Sequence, residues 1–133
     1  MLNSTSLLLG VAASGLFLAA GAGAQQPRTP VEQFAPLLHA ALQAQDGNAR
    51  GVLTGDMAVA IGRQYGTSAP MEIDVSTVVR YAQQGCARLR VEVSQADVKF
   101  AAKPAPHRQE IRFELNYCSD GRPPRSLALA GAQ

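Results

Sequence analysis

Glu72 and Asp74 stand two positions apart in a run of alternating residues, and on a strand they share one face. Two carboxylates brought together in a cleft can divide general acid and general base work between them. The same alternation equally describes the solvated outer face of a half-buried strand, and that is the preferred reading of the pair.

The other reactive side chains are few. Of two histidines, His39 falls on the polar face of a helical pattern and His107 follows Pro106 in a proline-containing connection, and both read as solvated. The chain contains no His-x-x-x-His, no His-Glu-x-x-His, no Gly-x-Ser-x-Gly and no phosphate-binding glycine pattern. Gly66-Thr67-Ser68-Ala69 reads as a loop before Pro70. The two cysteines, Cys86 and Cys118, are far from a Cys-x-x-Cys spacing, which argues against redox or zinc chemistry. The expectation is a protein that is not an enzyme and uses no cofactor or metal.

The elements that position these residues begin with a hairpin. Cys86-Ala87-Arg88-Leu89-Arg90-Val91-Glu92-Val93-Ser94 and Glu110-Ile111-Arg112-Phe113-Glu114-Leu115-Asn116-Tyr117-Cys118 both carry apolar residues on odd positions. Period two means strands with one buried face. Setting Cys86 opposite Cys118 in an antiparallel pair makes paired numbers sum to 204. Leu89 then meets Leu115, Val91 meets Phe113 and Val93 meets Ile111, while Arg90 meets Glu114 and Glu92 meets Arg112. A slip of one residue breaks both sets at once, so the register is well determined.

The first residues bear on compartment. Leu7 to Ala24 contains only Leu, Val, Phe, Ala, Gly and Ser, too short an apolar core for a membrane span and ending in small residues. The reading is a signal peptide over 1–24 cut after Ala22-x-Ala24. No Lys or Arg precedes Leu7, which departs from the usual pattern, and a retained anchor is the alternative. Removing 24 of 133 residues leaves 109, one domain over 25–133 with no stable membrane anchor. In an oxidising compartment a lone cysteine pair is expected to form a structural disulfide.

The net charge of +2 gives no case for nucleic acid, and the chain has no Trp. Nine Lys and Arg against five acids after position 79 leave room for a basic C-terminal face.

Elsewhere, Thr29-Pro30-Val31-Glu32 matches a capping box, and Val31, Phe34, Leu37, Leu38, Ala41 and Leu42 recur at helical spacing. An amphipathic helix over about 30–46 follows, either kinked at Pro36 or with its main body starting there. Gly51 to Ile61 reads as one or two short strands at the head of a β-rich stretch over 51–133. Residues 71–84 read as a strand in preference to a short helix capped by Ser76. Asp97 to Arg108 reads as a long mobile hairpin loop. Ser126 to Gln133 reads as an edge strand or a loose tail. The fold class is α+β: an N-terminal amphipathic helix packed on a small antiparallel β-sheet, with one disulfide across a long hairpin.

Two runs carry a resemblance. Gly85-Cys86-Ala87-Arg88-Leu89 with Gln95, and Leu115-Asn116-Tyr117-Cys118-Ser119-Asp120-Gly121 with Pro123-Pro124, resemble small exported proteins that accompany conjugation or type IV secretion genes. The likeness covers the last third to half of the chain and carries no catalytic motif. The missing catalytic constellation, the stapled hairpin and edge strands open to a partner chain give the first expectation, a periplasmic or secreted, non-enzymatic protein that binds or assembles with a protein partner in the cell envelope, and the resemblance extends it to an accessory of a secretion or conjugation system. An inhibitor or ligand-binding module is the second expectation. Its contact residues would be Lys99, Phe100, Lys103, His107 and Arg108, held at the end of a disulfide-stapled hairpin.

Overall fold

The computed structural model describes residues 27–131. The expected signal peptide, its cleavage after Ala24 and the last two residues of the tail lie outside the described residues. Within them are a five-stranded sheet in the order β1-β2-β3-β4-β5 and two helices. The strands are β1 (Thr29–Val31), β2 (Asn48–Leu53), β3 (Met71–Arg80), β4 (Cys86–Phe100) and β5 (Lys103–Cys118), and the helices are α1 (Ala35–Gln43) and α2 (Gly55–Gln64). This α+β architecture departs from the expected one at the first edge, where β1 runs parallel to β2 and makes the sheet mixed.

The hairpin register holds throughout its regular part. Cys86 lies opposite Cys118, and Leu89, Val91 and Val93 lie opposite Leu115, Phe113 and Ile111. The two sulfurs are bonded. β3 extends the pattern, with Ile73 beside Val93 and Val75 beside Val91, so 71–80 is a strand. Ile73, Leu89 and Val91 are fully buried under Leu37, Leu38 and Ala41 of α1.

Several expectations need correction. The helix is shorter than 30–46: it starts at Ala35 with Pro36 in its first turn, where a missing N–H costs nothing. Thr29 and Pro30 pair with Gly51 and Val52 instead of capping it, so a tertiary ladder overrides a local signal. Gly51 to Ile61 holds the end of β2 and then α2, whose Ala58 and Ile61 turn one face to the core. Asp97 to Arg108 is no loop: β4 continues to Phe100 and β5 begins at Lys103. Finally, the described part of the tail is tied to the sheet by an isolated bridge, Leu129 to Tyr81.

Gly51 shows why a small residue sits in β2. A Cβ there would lie 2.5 Å from Leu37 Cδ1 and 3.0 Å from the Thr29 carbonyl, so bare backbone lets α1 and β1 close onto the strand together.

Candidate binding surface

The sheet has two chemically different faces. On the outer face the charged residues pair across strands. Arg28 donates to both carboxylate oxygens of Asp74 at 3.1 and 3.2 Å, and Arg50 Nε donates to the same group at 3.0 Å. Arg112 meets Glu92 at 2.6 Å, and Glu114 accepts from Arg88 and Arg90.

Burial raises the pKa of Asp74, but the hydrogen bonds and charges of Arg28 and Arg50 together outweigh it and hold the carboxyl below its ordinary value. A general acid needs the opposite shift. Glu72 lies 3.3 Å from Arg28 and 3.7 Å from Arg108, so the two carboxylates singled out from sequence are members of an ion-pair lattice.

The inner face is apolar and only partly roofed. α1 covers β2, β3 and the near half of β4. No residue of α2 is buried, although Ala58 and Ile61 pack against the core. Between α2 and β5 an open trough remains, with Val59 of α2 at 53% and Ile111 of β5 at 54% exposure, and Phe113 on the same face of β5 at 44%. Its wider part is a cavity of about 640 Å³ against Ala58, Val59, Gly62 and Met71, and a smaller one of about 100 Å³ lies between Tyr65, Val93, Val98 and Ile111.

What shapes the far end of this trough is a bulge. The register slips between Gln95 and Val98, with Asp97 at φ 58°, so the extra residue carries Val98 and Phe100 onto the inner face. Gln95, only 6% exposed, donates from Nε2 to the Ala69 carbonyl at 3.0 Å. Thr67 Oγ1 donates to the Ala96 carbonyl at 2.9 Å, and the Lys99 N–H donates to the Tyr65 carbonyl at 2.9 Å. These three bonds stitch the segment after α2 to the distal half of β4. Phe100 is thereby held edge-on to Tyr65, with ring centroids 5.4 Å apart, and 5.1 Å from His107.

The five residues singled out at the hairpin's end therefore divide. Phe100 and His107 come together on the inner face with Tyr65. Lys103 lies exposed opposite Phe100 at the turn, and Lys99 is fastened through its backbone. Arg108 belongs to the outer face, where it donates to Ser94 Oγ at 2.8 Å and to Glu110 at 3.3 Å. His39 is half-buried on α1, away from this cluster. Tyr65, Ile111 and Phe113 were not singled out as site residues; period-two alternation identifies the apolar face but not whether anything covers it.

No helix among the described residues is long and apolar enough to cross a membrane. No group of His, Cys, Asp and Glu among them has the geometry to hold a metal ion. Compared with known proteins, the chain matches no family model, no curated protein and no solved structure.

Proposed function

We propose that the protein works outside the cytoplasm as a non-catalytic binding or assembly subunit, an accessory of an envelope secretion or conjugation system. Its protein partner docks in the trough between α2 and β5. The observation behind this reading is the half-exposed apolar set of Val59 on α2 with Ile111 and Phe113 on β5, the last two displayed on a hairpin that a disulfide closes at one end. Contiguous exposed apolar surface of this kind, rimmed by polar residues, marks interaction sites. A preorganised strand platform also lowers the ordering cost of binding.

The test is site-specific photocrosslinking in the native envelope, with a photoreactive residue at Phe113 and, as control, at Ser76 on the outer face. Adducts with a secretion or conjugation component from position 113 alone support the reading. Adducts from 76 alone, or none from either position, refute it.

A second reading has its own support. The Phe100, His107 and Tyr65 cluster stands at a stiff hairpin end suited to insertion into a target, as a secreted inhibitor or ligand-binding module does. Phe100→Ala would then abolish target binding, while Phe113→Ser would leave it unchanged.

A further inference from the structure

The edge of β5, as distinct from its face, carries a partner preference that can be read residue by residue. The Cys86 N–H bonds to the Gln83 carbonyl and the Cys86 carbonyl to the Tyr81 N–H, so Cys86 and Cys118 are a pair that exchanges no ladder bonds. Ladder bonds alternate along an antiparallel pair, so the odd residues of β5 from 109 to 117 bond to β4. Glu110, Arg112, Glu114 and Asn116 then turn their N–H and C=O groups to the free edge. β5 is the last strand of the sheet, and the described tail runs to Arg80, Tyr81 and Ala82 on β3 and just beyond it. Pro104 and Pro106 interrupt the donors of the distal part of this edge, which leaves 108–117 as the stretch able to pair.

The side chains on that stretch are self-complementary. On the outer face Arg108, Glu110, Arg112 and Glu114 alternate in sign. In an antiparallel pairing of β5 with a second β5, facing numbers have a constant even sum. Sums of 220 and 224 set like charges opposite each other, Arg108 on Arg112 or Glu110 on Glu114. A sum of 222 sets Arg108 opposite Glu114 and Glu110 opposite Arg112, twice each by symmetry, and brings Ile111 onto Ile111 at the centre. Opposite charges directly across strands stabilise and like charges destabilise, so this register is favoured over its neighbours. The central Ile111 is 54% exposed, the highest fraction among the large apolar residues of the stretch.

We infer that the protein forms a two-fold symmetric dimer by antiparallel pairing of β5 with β5 of a second copy, centred on Ile111. The two sheets become one ten-stranded sheet, and the two troughs meet as a single apolar floor. The inference concerns the strand edge and goes beyond the proposed function, which concerns the trough.

The test uses purified protein with its native disulfide oxidised, so that an introduced cysteine is the only free thiol. Sedimentation equilibrium at about 100 µM, where a weak interface is already populated, is expected to show a dimer. Ile111→Cys is expected to give a disulfide-linked dimer under mild oxidation. Phe113→Cys, whose two copies stand several residues apart in this register, is expected to give roughly fivefold less. Glu110→Arg, at an exposed site, sets a second positive charge against Arg112 of the other copy and is expected to weaken association about tenfold. A monomer at that concentration, crosslinking at 113 equal to or above that at 111, or unchanged association of Glu110→Arg each overturns the dimer. A monomer that still crosslinks an envelope component from Phe113 separates this failure from failure of the proposed function.

Discussion

Arg28 grips both oxygens of Asp74, 46 positions further along the chain, and so ties the entry to β1 across β2 onto β3. Arg28 Nη1 also reaches the carbonyls of Gly51 and Ile73, which makes one guanidinium the clasp of three strands.

The pH dependence follows in sign. Asp74 has a lowered folded pKa, so its contribution to stability is complete above the unfolded value near 3.8 and is lost as pH falls from there through the folded value. Chemical denaturation at pH 7 and pH 3 is expected to show a smaller acid loss in Asp74→Asn than in the native chain. An equal loss in both would contradict the assignment.

The disulfide closes a loop with ends 32 positions apart, and chain entropy assigns it about 3.5 to 4 kcal/mol. Cys86→Ser with Cys118→Ser is expected to lower unfolding free energy in urea by roughly that amount. A loss under about 1 kcal/mol would mean that the unfolded chain is already constrained there.

Gln95 supports the trough through one bond. Gln95→Leu leaves the Ala69 carbonyl without its donor, at a cost of about 1–3 kcal/mol. Hydrogen exchange is expected to accelerate at Thr67 and Ala69, and at Lys99, whose N–H bonds to Tyr65, before it does so in β3. Uniform acceleration would place the effect in global stability instead.

Gly51→Ala drives a methyl into Leu37 and the Thr29 carbonyl. The expected loss is about 1–3 kcal/mol by thermal unfolding, and it is expected to be smaller when Gly51→Ala is measured in a Leu37→Ala background, because the side chain nearest the methyl is gone.

How much of this was legible in the chain depended on how local each signal was. The β4–β5 register could be read because two independent sets, apolar and charged, demanded the same pairing. β1 could not, since Pro30 after Thr29 is a strong local helix start and only β2 beside it makes it a strand. α2 hid because Met57, Val59 and Ile61 alternate like a strand, while the helical partners Ala58 and Ile61 are a weak apolar stripe. The end of the hairpin looked like a loop because its prolines exclude a central strand, yet an edge strand tolerates them. Phe100 and His107 were singled out from sequence, and their neighbour Tyr65 was not, because its place beside them depends on the bond between the Lys99 N–H and the Tyr65 carbonyl.

The disulfide joins the last residue of β5 to the first of β4, and the tail departs immediately after it. A pull applied to that tail would otherwise peel β5 away one hydrogen bond at a time, the weakest way to load a strand. Once the short bridge of Leu129 to Tyr81 has given way, the link that holds β5 itself is the covalent bond of Cys118 to Cys86, and the load passes through it into the sheet. The C-terminal segment can therefore serve as a tether under tension without opening the surface that β5 presents.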